Sequence, residues 1–257
     1  MNFRLYKKFL SHSFQEFLIY RTTAIVTIVF GLIFFLAEFI AGVIYFDYTE
    51  TIYGWAKNDY LLLISVASVI SYGYQFLFTV AHENLYEFIL GGELDYILIR
   101  PVNSFLFYSF YRVDFPSLIN LFIALSFQIF MLTKYSLNLV LIIEFIISIF
   151  LSIYLVFLLN QIVITISFWK EHSSAIMGIP EYLIDFSSRP KSIYPKSIQF
   201  VLIYIVPILL SINLPVLVVK GEASVLSILY IFLFDLLGTV FAIFLWKKGL
   251  KKYVSAN

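Results

Sequence analysis

The stretch from Thr22 to Phe46 carries one charge, Glu38, and four apolar stretches of similar length follow at Tyr60 to Val80, Phe105 to Thr133, Leu137 to Phe168 and Ser224 to Trp246. A helix crosses a bilayer core with roughly 20 apolar residues. A soluble fold has no interior able to hide several runs of that length. Composition agrees, with 61% hydrophobic and 13% charged residues where soluble domains hold roughly 45–50% and about 25%. Membrane-barrel strands would be alternating segments of about ten residues, and the sequence has none. The chain is therefore expected to be an all-α polytopic membrane protein.

The 17 Lys and Arg against 16 Asp and Glu leave a net charge of +1, which excludes the basic surface of a nucleic-acid binder. Cys is absent, so there is no thiolate nucleophile, no Cys-based metal site and no disulfide. Residues 1–21 mix Arg4, Lys7, Lys8, Glu16 and Arg21 with aromatics, unlike a cleavable signal peptide. Phe3, Tyr6, Leu10, Phe14 and Phe17 recur every three or four residues opposite Arg4, Lys7, Ser11 and Gln15. That spacing predicts an amphipathic helix lying on the membrane.

Between Trp169 and Glu222 two apolar stretches compete, Ser173 to Ser188 and Ile198 to Val219. If both crossed, the basic termini (Arg4, Lys7, Lys8; Lys247, Lys248, Lys251, Lys252) would fall on opposite sides, against the rule that such residues stay cytoplasmic. Hydropathy and charge favour 198–219. Pro207, Asn213 and Pro215 argue the other way, because broken helices at membrane depth are sheltered re-entrant elements. Either choice gives six crossings with both termini cytoplasmic.

The segment from His82 to Pro101 is expected to form the cytoplasmic link between the second and third spans. Gly91-Gly92 permits a sharp turn, Glu93 and Asp95 suit a new helix's first turn, Leu94, Ile97 and Leu98 give it an apolar face, and Pro101 stops it. The run GGELDYILIRPV (Gly91 to Val102) resembles the G-x-L-D-x-x-L-x-R-P signature of the membrane subunits of ABC-2 type ABC transporters. Later landmarks follow in order: Phe168-Trp169, Arg189-Pro190, Ile193-Tyr194-Pro195, then Pro207, Asn213 and Pro215, and the WKKGLKKY ending from Trp246 to Tyr253.

This resemblance implies a six-helix exporter permease that pairs with a second permease, identical or paralogous, and two cytoplasmic ABC ATPase subunits. Gly91, Gly92, Leu94, Asp95, Leu98, Arg100 and Pro101 would form the coupling contact with the ATPase. It also implies that 173–188 is the fifth crossing and 198–219 a re-entrant pair, giving spans near 22–46, 60–80, 105–133, 137–168, 173–188 and 224–246. A crossing at 173–188 is short, about 24 Å against a core of about 30 Å. A bacterial plasma membrane is the implied location.

The chain has no GxxxxGK[ST] loop to cradle phosphates, so ATP and Mg belong to a separate polypeptide, and no cofactor is expected here. Glu38, Asp114, Glu144 and Asp235 are acids in or near spans, where an ion-coupled secondary transporter or channel-like protein, the alternative reading, would need them. Arg112 lies two residues from Asp114, which suggests local neutralisation. Asn160 and Gln161 are expected to form interhelical hydrogen bonds. His12, His82 and His172 are expected to face solvent at the cytoplasmic edge. No HExxH helix or GxSxG elbow is present, so the chain is not expected to be an enzyme.

Overall fold

The structure is a computed structural model that describes residues 3–169 and 178–253. Helix α1 (Phe3–Ile19) leads into α2 (Arg21–Tyr48). A hairpin of β1 (Thr51–Ile52) and β2 (Trp55–Ala56) then turns through Tyr53 and Gly54, at φ 49° and 84°. Helix α3 (Lys57–Tyr74) passes through a π-helical turn, Gln75–Thr79, into α4 (Val80–Leu90). Short helices α5 (Asp95–Leu98) and α6 (Ser104–Ser109) precede α7 (Phe115–Leu132) and α8 (Leu139–Thr165), which a 3-10 turn prolongs to Phe168. Then come α9 (Ile179–Ser187), α10 (Lys196–Phe200) with a π-helical turn at Val201–Ile205, α11 (Ile208–Val219) and α12 (Val225–Leu250).

Among the described residues, five helical rods are long and apolar enough to cross a membrane: Arg21–Tyr48, Lys57–Leu90, Phe115–Leu132, Leu139–Phe168 and Val225–Leu250. They correspond to the five clear apolar runs. Two boundaries differ from the sequence reading. The second rod continues through His82 to Leu90, because nothing breaks the helix before Gly91. The third run divides at 110–114, where Asp114 caps α7 by accepting from the Ser117 amide (3.0 Å) and Pro116 occupies its first turn. These are strong helix-start signals.

Helix α3 sits at the centre, packed on α2, α7, α8 and α11, with Leu62, Leu63, Val66 and Ile70 fully buried. Helix α11 is buried on every side. Its Pro215 lacks the N–H that would satisfy the Ser211 carbonyl, and Ser152 on α8 donates to that carbonyl instead, at 2.8 Å. The neighbouring Asn213 holds the turn after α9, accepting from the Lys191 amide (2.8 Å) and donating to the Ser187 and Arg189 carbonyls (3.1 Å each).

The break between α10 and α11 falls at Val206-Pro207, with a 90° bend. Both ends of this bent pair lie at the hairpin end of the bundle. Before α10, the Ser192 hydroxyl donates to the Tyr53 carbonyl (3.2 Å); after α11, Lys220 pairs with Asp59 at the start of α3 (3.2 Å). Phe168 packs at the opposite end against Trp246 and Tyr253, whereas Arg189 reaches Glu38 and Tyr60 toward the hairpin end. Of the expected fifth crossing, 178–188 is described; the remainder, with His172, lies outside the described residues.

Candidate functional site

The second rod ends where the Gly91 amide donates to the Glu87 carbonyl (2.8 Å). Gly92, at φ 69°, then reverses the chain in a left-handed conformation that favours glycine. The Leu94 amide folds back onto the Phe88 carbonyl (3.3 Å), and one helical turn follows. Arg100 closes that turn by donating from Nε to the Tyr96 carbonyl (3.1 Å), with its guanidinium over the Phe107 ring, and Pro101 ends it. The seven residues read from the sequence therefore form one compact element.

Their orientation differs from expectation in one respect. Leu94 and Ile97 are 0% and 5% exposed and face this chain's own core, so Leu94 is not available to a partner. Leu98 is half-exposed, and the outward apolar surface is made by Leu90, Tyr96 and Ile99, at 48%, 68% and 79%. Residues three apart share a helix face, which sets Leu94 with Ile97 and Tyr96 with Ile99. Both pairs are apolar, so periodicity could not say which pair faces inward.

Two of the sequence landmarks, Phe168-Trp169 and the Trp246 to Tyr253 ending, meet beside this element. The Trp246 indole donates to the Ser104 hydroxyl (3.1 Å) and its ring packs on Phe105, Tyr108 and Phe168. Tyr253 packs edge-on against Phe168. Its phenol pKa is raised by burial and then by the facing Asp95 carboxylate. Gly249 is where α12 approaches Phe168, since a Cβ there would lie 2.8 Å from the ring's Cγ. Gly249→Val is expected to overpack this contact and cost about 1–3 kcal/mol, read as a lower unfolding midpoint of the detergent-solubilised chain.

From α6 the contacts continue into the bundle. The Tyr108 hydroxyl donates to the Ala81 carbonyl (2.5 Å), and Ser109 Oγ reaches Gln161 Oε1 on α8 (3.5 Å). That oxygen also meets His82 Nε2 (3.2 Å), while His82 Nδ1 meets the Tyr74 hydroxyl (2.8 Å). A neutral ring with its proton on Nε2 satisfies both contacts: Tyr74 donates to Nδ1 and Nε2–H donates to Gln161. His82 is 2% exposed, contrary to the expected solvent-facing position, because the second rod continues past residue 80 and carries it into the core. Gln161 bridges helices as expected. Among the described residues, Asn160 bonds only the Val156 carbonyl of its own helix, at 3.1 Å. His12 is exposed.

The π-helical turn in the second rod leaves the Phe76 carbonyl free to accept the Asp114 amide (2.9 Å), and Ser117 Oγ reaches Gln75 (3.3 Å). At the same break the Val113 amide donates to Ser13 of α1 (3.1 Å), and Arg112 forks onto Glu16, with Nε–Oε2 at 2.6 Å. Arg112 thus pairs with α1 and not with Asp114, whose carboxylate caps α7. Tyr6, Phe9 and Phe17 of α1 pack on Phe110, Phe107 and Phe115.

Of the other acids, Glu38 forms a bidentate pair with Arg189 at 2.8 and 3.0 Å. Sequence distance concealed this partner. Glu144 is half-buried on α8. Asp235 is buried on α12, and neither carboxyl oxygen has a hydrogen-bond partner among the described residues.

No curated protein and no solved structure matches the chain. A family model, described as ABC-2 family transporter protein, matches residues 32–257, which include the 91–101 element and the landmarks beside it. Members are membrane transport components, not themselves catalytic, and generally work with ABC ATPase subunits. With most of its length matched, the chain belongs to the ABC-2 family of transporter proteins and is a multi-pass membrane permease component of an ABC transporter.

Proposed function

We propose that this permease is the membrane-spanning subunit of an ATP-driven exporter, and that the element from Gly91 to Pro101 seats a separate ATPase subunit. The observation that carries this reading is the outward surface of Leu90, Tyr96 and Ile99 on an element whose inner face is locked into the bundle. A one-turn helix gains little from its own hydrogen bonds, so it holds its shape through Leu94, Ile97 and the Trp246 cluster. Force applied at Tyr96 and Ile99 passes through Tyr108 to the second rod at Ala81, and through Ser109 to the fourth at Gln161. Two permeases and two ATPase subunits, in a bacterial plasma membrane, complete the proposed assembly.

The same reading places both termini in the cytoplasm, makes 173–188 the fifth crossing and 198–219 a re-entrant pair on the external side. It is supported by the shared hairpin end of the bent pair and by the separation of Phe168 from Arg189. The absence of Cys makes the topology directly testable. A single Lys191→Cys variant is expected to react with a membrane-impermeant maleimide added outside intact cells; reaction only after permeabilisation would overturn this topology. Isolation of the tagged chain in mild detergent is expected to bring an ATPase subunit with it, and vesicles of the pair should move substrate only with ATP. Transport by the chain alone on an ion gradient would replace this reading with an ion-coupled carrier.

A further inference from the structure

One concave apolar site lies away from the coupling element. Leu183 and Phe186 on α9 face Ile198, Val201 and Leu202 on α10 and its π-helical turn across a groove of about 410 Å³, within the roughly 300–1,000 Å³ of small-molecule pockets. Leu202 is the most buried of the lining residues, at 8% exposed, and Phe186, Ile198 and Val201 are open to the surroundings. Among the described residues Ser197 is the only polar side chain on the wall, and it is exposed. Lys196 next to it is exposed, and neither it nor Lys191 forms an ion pair among the described residues. The nearby acids, Glu181 and Asp185, stand one turn apart on a different face of α9, where Asp185 feels the Glu38–Arg189 pair.

We propose that this groove seats one acyl chain of an anionic glycerophospholipid, with its phosphate at Lys196 and the Ser197 hydroxyl. Among the described residues the wall offers no further side-chain hydrogen-bonding group, so an occupant with internal polar groups, such as a peptide backbone, would leave them unpaired at a cost. A hydrocarbon chain has none. The exposed ammonium of Lys196, the residue before the lining Ser197, favours a negative headgroup over a zwitterionic one. The lipid would add to the direct contacts between α9 and the bent pair, such as those of Asn213 with Ser187 and Arg189. On the topology proposed above, the groove opens to the outer leaflet; the groove itself does not depend on that topology.

The full-length chain in phosphatidylcholine nanodiscs doped with a diazirine-acyl phosphatidylglycerol, or with the matching phosphatidylcholine probe, tests the proposal. After photolysis, adducts on peptides covering 183–202 are expected to be several-fold more frequent with the anionic probe. Leu202→Trp should remove them while preserving adducts on the lipid-facing Leu236 and Leu237 of α12, which also shows that the variant is folded. Lys196→Gln should leave the adducts but abolish the headgroup preference. Val201→Trp, nearer the groove mouth, provides a second filled variant should Leu202→Trp lose the α12 adducts. Adducts on 183–202 no more frequent than on α12, or unchanged by filling the groove, would overturn the seat. External labelling at position 191 that persists in that event would leave the topology standing; its loss with adducts retained would fail the topology alone.

Discussion

Tyr96→Ala and Ile99→Ala are each expected to weaken binding of the ATPase subunit by about 2–4 kcal/mol, the range of interface anchors, while leaving membrane insertion and the unfolding midpoint unchanged. Both side chains project from the 91–101 element at 68% and 79% exposure, so truncating them opens no cavity in this chain. A roughly 30- to 1,000-fold loss of affinity follows from that range. Leu94→Ala should behave in the opposite way. Leu94 is fully buried, so its truncation costs about 2–5 kcal/mol of fold stability. Affinity measured by titrating purified ATPase into nanodisc-held permease, beside thermal unfolding of the permease alone, separates the two effects. Equal losses of stability in all three variants would show that the element only caps the bundle.

At the hairpin end, Asp59→Ala is expected to destabilise the chain by about 3 kcal/mol, because it leaves a largely buried cation with only a half-exposed carboxylate partner and removes two further hydrogen bonds. Lys220 is 11% exposed and lies 3.2 Å from Asp59, 3.1 Å from Glu222 and 4.8 Å from the Trp55 ring centroid. Asp59 also accepts from the Tyr135 hydroxyl (2.7 Å) and the Ala56 amide (3.2 Å). One carboxylate thus joins the hairpin, α3, the turn after α7 and the end of α11. The Glu222 side chain is 55% exposed and cannot replace it. Adding Lys220→Met should recover part of the loss, since the stranded charge is then gone. Unfolding midpoints in detergent read both variants. A double variant no more stable than Asp59→Ala would assign the loss to the hydrogen bonds alone.

The five spanning rods were legible because run length and hydropathy decide them without tertiary information. The compact shape of the 91–101 element was legible too, through Gly91-Gly92 and Pro101, whose backbone demands are local. What escaped was orientation and pairing. Leu94 and Ile99 are equally apolar, and only tertiary packing, such as that of α5 on α6, selects which is buried. Arg189 reaches Glu38, and Arg112 reaches Glu16, across 151 and 96 residues, beyond any spacing argument; the nearer Asp114 was already spent on a helix cap. His82 was placed at the edge because the apolar run fades near Val80, yet helix propagation needs no apolar residue and continued to Gly91.

The central claim is that the outward face of this element meets an ATPase, and photo-crosslinking from position 99 tests it most directly. A photoreactive residue is placed at Ile99 in the intact complex, and a second at Leu94 as the inward-facing reference. The account predicts an adduct with the ATPase subunit from position 99, and from position 94 adducts only within this chain. Adducts from position 99 confined to lipid or to this chain, in a complex shown to be intact, would contradict it.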